Sequence, residues 1–127
     1  MGRALEKEVV VVEKDENVRK LFSDIISFLT PTKVKKLEDG VEAKHYIEKN
    51  MGRISLVLIE GILPGMNGDK VIRELLRKGC YDIPFVLTSG LDSSYFDNSI
   101  FKYKNISFLK KPFDLDTIES IVKKYAL

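Results

Sequence analysis

Polar side chains that can do chemistry follow four of the apolar segments of the sequence. In chain order they are Glu13, Lys14 and Asp15, then Glu60, then Ser89, then Lys110 and Lys111. Carboxylates, a hydroxyl and a lysine are groups that bind a metal ion or a phosphoryl group when they share one pocket. The same residue types are common in solvated loops, so both interpretations stay open until the elements that position them are considered.

The apolar segments alternate with amphipathic ones, which is the pattern of a parallel sheet with helices on both faces. The spacing predicts five strands, over residues 9–12, 34–37, 54–59, 83–88 and 106–109. It predicts a first helix with apolar residues at helical spacing from Val18 to Leu29 and Asp15 as a possible N-cap, and further helices over 39–49, 69–78 and 92–103 and from 114 onward. Lys35 and Lys36 make the second strand too polar to be buried on both faces, so it is predicted to lie at an edge of the sheet. The fold class is therefore α/β, a three-layer, doubly wound, five-stranded parallel sheet.

Ligands of such sheets bind beyond the carboxyl ends of the strands, near the point where the strand order reverses. The polar residues named above all follow predicted strands, so the fold brings them to one edge. This placement favours a common site over separate solvated loops.

Length and composition limit what the chain can be. Its 127 residues predict a single domain over 1–127, and a net charge of +2 is too small to predict nucleic-acid binding. Cys80 is the only cysteine, so an intrachain disulfide is excluded. Neither a signal peptide nor an apolar run of membrane-spanning length is found, and a soluble, cytoplasmic protein without membrane association is expected.

Four segments together resemble the receiver domain of bacterial response regulators. They read VVVVEKDENVRKLF, LVLIEGILPGMNG, IPFVLTSG and FLKKPFDL, in this order and with family-like spacing. The resemblance implies a flavodoxin-like receiver topology with strand order 2-1-3-4-5. It also implies a Lys111–Pro112 peptide bond that is commonly cis.

The resemblance also implies a mechanism and assigns roles to residues. In receivers, an aspartate after the third strand accepts a phosphoryl group from a phosphohistidine, and an acidic pair after the first strand holds Mg²⁺. These positions are occupied here by Glu60 and by Glu13 and Lys14. Ser89 takes the place of the hydroxyl that binds the phosphoryl group. The remaining roles fall to Lys111, the phosphoryl-contacting lysine, and Phe108, the aromatic switch residue.

Two of these residues depart from the family pattern. Glu60 replaces the acceptor aspartate, and its extra methylene moves the carboxylate outward by about 1.5 Å. Lys14 puts an ammonium group where the family has a metal ligand. Such a charge costs on the order of 4 kcal/mol per unit of metal charge at about 4 Å near a protein surface. No cofactor is therefore expected, and if Mg²⁺ binds at all, Glu13 and Glu60 are its ligands. Asp15 is a further candidate ligand, although its position suits a helix cap better.

Because both departures occur together, the positive and negative side chains of the pocket are expected to neutralise one another. The hypothesis is that Lys14 or Lys111 pairs with Glu60 and takes the place of the metal ion and the phosphoryl group. The function that follows is an atypical, non-enzymatic receiver domain that acts by protein contacts, independently of phosphorylation. The alternative is a working phosphoacceptor that takes a phosphoryl group on Glu60. A third interpretation is a flavodoxin-like ligand binder or hydrolase, which lacks the expected motifs.

The resemblance implies a histidine kinase, a phosphotransfer protein or an effector protein as partner. The surface expected to make the contact, and also a possible homodimer, is formed by the predicted helix 92–103, the fifth strand and the last helix. Whether Glu60 holds the signalling or the resting arrangement is left open by the sequence.

Overall fold

The computed structural model describes residues 7–126 and contains one parallel sheet of five strands. The strands are β1 (Glu8–Val12), β2 (Lys33–Leu37), β3 (Ile54–Glu60), β4 (Phe85–Ser89) and β5 (Ile106–Lys110). Their order is β2-β1-β3-β4-β5, and all neighbouring pairs are parallel. The predicted fold class and strand order are confirmed. β4 begins two residues later than predicted, after Pro84, which has no N–H to donate to a ladder.

In the described residues, four α-helices cover the two faces of the sheet. They are α1 (Glu16–Leu29), α2 (Gly40–Lys49), α3 (Gly68–Arg77) and α4 (Leu115–Tyr125). Asp15, Asp39 and Asp114 cap α1, α2 and α4 by accepting backbone N–H groups of the first turn. A short 3-10 helix, Met51–Arg53, leads into β3.

The sheet divides the core into two layers. On one face α1 and α4 pack on alternate residues of β1 and β3, such as Val9, Val11 and Leu58. On the other face α2 and α3 pack on the intervening residues, such as Val10 and Ile59. β1 and β3 are therefore buried on both faces, as their unbroken apolar runs predict. The lysines of β2 lie exposed at the sheet edge.

The segment from 92 to 103 is not the α-helix that the sequence predicts. It forms two 3-10 helices, Ser93–Tyr95 and Asn98–Lys102, with extended backbone at Phe96 between them. Asp97 accepts hydrogen bonds from the N–H and the hydroxyl of Ser99, and its own N–H donates to Asp69. The two bonds to Ser99 are local and compete with α-helical ones, and the bond to Asp69 uses the N–H of Asp97, which explains the difference. The predicted partner surface thus contains 3-10 turns where a helix was expected.

Among the helices within residues 7–126, none combines the length and hydropathy that a membrane-spanning segment requires.

Candidate functional site

The fold brings the predicted site residues to one edge of the sheet. Because all five strands run in the same direction, their carboxyl ends lie at the same edge. Glu13 follows β1, Glu60 ends β3, Ser89 ends β4 and Lys111 follows β5. The carboxylates of Glu13 and Glu60 and the hydroxyl-bearing Ser89 are all buried there.

Lys111 joins the two carboxylates. Its Nζ donates hydrogen bonds to Glu13 Oε1 at 2.7 Å and to Glu60 Oε1 at 2.6 Å. The Lys111 side chain is 24% exposed, whereas those of Glu13 and Glu60 are 3% and 7% exposed. Of the two lysines considered as partners of Glu60, Lys111 is the one that makes the ion pair.

The second oxygen of each carboxylate is bound by the backbone. Glu13 Oε2 accepts from the N–H of Asp15 at 3.0 Å, and Glu60 Oε2 accepts from the N–H of Ile62 at 3.1 Å. Every oxygen of the two carboxylates therefore has a donor from the chain itself. Such charge-assisted bonds satisfy buried carboxylates without an external cation.

The pKa of Lys111 reflects these contacts. Burial acts to lower the pKa of the ammonium group, but the hydrogen bonds and the charges of Glu13 and Glu60 outweigh it and raise the pKa above the usual lysine value. Lys111 is thus held in its charged form.

Lys14 lies at the rim of the same pocket. Its exposed ammonium donates to the carbonyl oxygen of Ile62 at 3.0 Å. The carbonyl oxygen of Ile62 thus accepts a hydrogen bond from Lys14, and the N–H of Ile62 donates one to Glu60. Arg19 fixes the chain on the other side of Lys14, because its Nη1 donates to the carbonyl of Glu13 at 2.7 Å.

The residues present do not fit a divalent cation of the kind that receivers hold. Asp15, the third acidic candidate, caps α1 through a 3.0 Å bond from the N–H of Val18 to its Oδ1. No cluster of three or more His, Cys, Asp or Glu side chains suited to a metal ion is found in the described part of the chain. The ammonium group of Lys111 lies between the two carboxylates and would repel a metal ion there.

Ser89 and Phe108 lie beside the pocket. The hydroxyl oxygen of Ser89 accepts from the N–H of Leu91 at 3.1 Å, and its carbonyl accepts from the N–H of Lys111 at 2.8 Å. The half-buried ring of Phe108 lies 6.2 Å from the rings of Phe96 and Phe101, measured between centroids. The Lys111–Pro112 peptide bond is cis, as the resemblance implies.

Phe96 is a residue near the site that the sequence analysis missed. Its buried ring covers Gly61, the residue after Glu60, so closely that a Cβ on Gly61 would lie 2.4 Å from Phe96 Cζ. A glycine at this position permits that approach. A glycine next to an acidic residue does not by itself indicate a close approach, so the sequence carried no signal for this contact.

The family follows from a comparison with known proteins. A family model described as the response regulator receiver domain matches residues 9–123. The chain therefore belongs to the response regulator receiver domain family. It is a receiver domain of two-component signalling, which is a signalling module.

Two curated relatives are much longer than this chain. A sensor kinase CckA from Brucella abortus (strain 2308) is 33% identical over 91 residues, which are 72% of this chain and 10% of that protein. A two-component response regulator-like PRR37 from Oryza sativa subsp. indica is 25% identical over 118 residues, 90% of this chain and 15% of that protein. The chain thus spans only a small part of the length of these two relatives.

Solved structures support the same fold. The receiver domain of a hybrid histidine kinase CckA has a TM-score of 0.73 and 25% identity, covering 92% of this chain and 96% of that one. The signal receiver domain of a LuxO repressor protein from Vibrio parahaemolyticus has a TM-score of 0.80 at 20% identity, over 94% of this chain and 89% of that one. The second likeness concerns the fold alone.

Proposed function

We propose that this receiver domain is an atypical one that acts as a protein-interaction module without depending on phosphorylation. The observation that carries the proposal is the position of Lys111 Nζ, 2.7 Å from Glu13 and 2.6 Å from Glu60. The pocket is neutralised by its own side chains. Its output is contact with a histidine kinase, a phosphotransfer protein or an effector protein.

Three features support independence from phosphorylation. Glu60 extends further than the aspartate it replaces, and in-line phosphoryl transfer is sensitive to displacements of that size. Lys14 adds a positive charge at the rim, where the family has a metal ligand. Lys111, the residue expected to meet the phosphoryl group, is already bound to both carboxylates.

A phosphodonor experiment tests the proposal. The chain is incubated with acetyl phosphate and Mg²⁺, and the phosphoryl adduct is quantified by intact-protein mass spectrometry. We expect no adduct on the wild-type chain. We expect the double variant Lys14→Asp/Glu60→Asp, which restores the family pattern, to gain both an adduct and Mg²⁺ binding. If the wild-type chain forms an acid-stable, base-labile adduct that Glu60→Gln abolishes, the proposal is wrong.

The alternative function, a working phosphoacceptor, rests on the position of Glu60. Its buried carboxylate ends β3, at the position where the resemblance places the phosphoacceptor. The same adduct measurement decides between the two functions, because only the alternative requires the adduct.

Three further expectations stay predictions from the sequence. They are a single domain over 1–127, a cytoplasmic location and a homodimer formed through the 3-10 segment, β5 and α4.

A further inference from the structure

A groove lined by cations and tyrosines lies between α3 and the 3-10 helix Asn98–Lys102. Its volume is about 270 Å³. Leu76 and Ile100, which are both buried, supply the apolar part of its lining. The other residues that line it are Arg73, Arg77, Tyr81, Ser99, Lys102 and Tyr103.

Two stacked tyrosines give the groove a flat aromatic surface. The rings of Tyr81 and Tyr103 lie 5.9 Å apart between centroids and are 12° from parallel. Lys102 Nζ lies 5.6 Å from the centroid of the Tyr103 ring. Because Tyr81 is 56% exposed, its ring leaves aromatic surface open to a further planar group.

The charge of the groove is positive. Among the described residues that line it, the charged ones are Arg73, Arg77 and Lys102, and none is acidic. Arg77 pairs with Glu74 on the same helix at 3.0 Å, and its side chain is 68% exposed. Exposed pairs of this kind contribute little, so Arg77 can exchange Glu74 for an anionic group of a ligand.

We propose that this groove binds a nucleoside phosphate. The base would stack on the ring of Tyr81, as bases do on aromatic side chains elsewhere. The phosphate groups would accept charge-assisted hydrogen bonds from Arg77 and Lys102. The chemistry of the groove thus matches a ligand that is both planar and anionic.

The size of the groove favours a single nucleotide over a macromolecule. Ligand sites begin at about 300 Å³, and this groove lies close to that lower limit. A strand of nucleic acid needs a longer positive groove, and the net charge of the chain is only +2. An acidic peptide would suit the cations, but the flat stacked rings favour a planar base.

This inference goes beyond the proposed function, because Glu13, Glu60 and Lys111 do not line the groove. The phosphodonor experiment measures a covalent adduct on Glu60, whereas the test below measures reversible binding beside α3. Failure of one therefore leaves the other standing.

The test compares three probes by isothermal titration calorimetry, namely ADP, adenosine and inorganic pyrophosphate. We expect ADP to bind the wild-type chain roughly tenfold more tightly than either of the other two, because it alone engages both the rings and the cations. Added salt should weaken the binding of ADP. In NMR spectra of the labelled chain, ADP should shift the signals of residues 73–81 and 99–103.

Variants in the groove separate the two parts of the site. Tyr81→Ala should weaken ADP binding roughly tenfold and leave pyrophosphate binding unchanged, whereas Tyr81→Phe should keep ADP binding. Lys102→Glu should weaken the binding of both probes. A loss of ADP binding in Tyr81→Phe equal to that in Tyr81→Ala would contradict stacking.

Matched variants outside the groove control for general effects. Tyr95→Ala removes another exposed tyrosine, and Lys36→Glu makes the same charge change on β2, at the opposite edge of the sheet from β5. Neither should alter ADP binding. The proposal is wrong if ADP binds no more tightly than pyrophosphate, or if its signal changes fall outside the groove. An acidic peptide that binds more tightly than ADP and is lost in Tyr81→Ala would also overturn it, since the occupant would then be a protein.

Discussion

At the scale of single residues, Lys111 is the group on which the pocket depends. It is the cation in contact with two buried carboxylates, whereas Lys14 reaches a backbone carbonyl from the exposed rim. Removing one partner of a buried ion pair leaves the remaining charge without compensation, which costs more than the pair contributes. The two lysines therefore have different roles although both belong to the same site.

Lys111→Met is expected to lower the free energy of unfolding by about 3 kcal/mol, because Glu13 and Glu60 would then face each other without a cation. Lys14→Met is the matched control, with an expected loss under about 1 kcal/mol. Urea unfolding at neutral pH measures both. Equal losses in the two variants would contradict the special position of Lys111.

At the scale of elements, the 3-10 segment between β4 and β5 is tied to the site by Phe96. The ring lies over Gly61 and next to Phe108, so the segment touches both the loop after Glu60 and the predicted switch residue. The buried Ile100 and the pair of Arg73 with Asp97 at 3.1 Å hold the remainder of the segment against α3.

Phe96→Ala is expected to loosen this segment and to lower the free energy of unfolding by about 3 kcal/mol, as loss of a buried aromatic ring does. Hydrogen exchange should become faster over residues 92–103 and stay slow in β1 and β3. Gly61→Ala provides the control in a double-mutant cycle, because its Cβ clashes only while the Phe96 ring is present. Additive effects of the two substitutions would contradict the contact.

Helical spacing explains why the sequence predicts the wrong structure for this segment. Phe96, Ile100 and Tyr103 recur at i, i+4 and i+7, which is typical of an amphipathic helix. Phe96 and Ile100 do turn inward, but Asp97 binds Ser99 and Asp69 and breaks the helical ladder. β1 and β3 were predictable from their unbroken apolar runs, and α1, α2 and α4 are capped by aspartates that the sequence shows.

The candidate site was predictable only in part. Its location follows from the strand ends, since parallel strands present their carboxyl ends at one edge. The sequence did not decide whether Lys14 or Lys111 pairs with Glu60. Both have long flexible side chains, and only the packed structure sets which one is directed inward. The contact of Phe96 with Gly61 joins distant segments, and neither residue carries chemistry that would reveal it.

At the scale of the whole molecule, stability at alkaline pH depends on groups whose pKa the fold raises. Lys111 has its pKa raised by Glu13 and Glu60 in spite of burial. Burial and the hydrogen bond to Glu8 raise the pKa of Tyr46 to about 12, and burial raises the pKa of Cys80 to about 11. In each case the group holds its proton more tightly in the folded state than in the unfolded state. The free energy of unfolding therefore falls as the pH rises from the ordinary pKa of the group through its raised pKa.

The contribution of Lys111 can be separated from the other two by comparing the wild-type chain with Lys111→Met. It is fully present below the usual lysine pKa of about 10.4 and is lost as pH rises through the higher pKa of the folded state. The difference in free energy of unfolding between the two proteins should therefore shrink above that pH, while Tyr46 and Cys80 affect both alike. Urea unfolding at a series of pH values measures it, and a constant difference would contradict the raised pKa of Lys111.

The long reach of Lys111 has a consequence for how the chain is made. Its partners Glu13 and Glu60 lie 98 and 51 residues earlier, at the carboxyl ends of β1 and β3, which do not adjoin β5 in the sheet. Because a ribosome releases the amino end first, both acids emerge well before the residue that neutralises them. A product that stops short of residue 111 would keep two buried acids without this counter-charge, and its sheet is expected to be less stable than that of the longer chain.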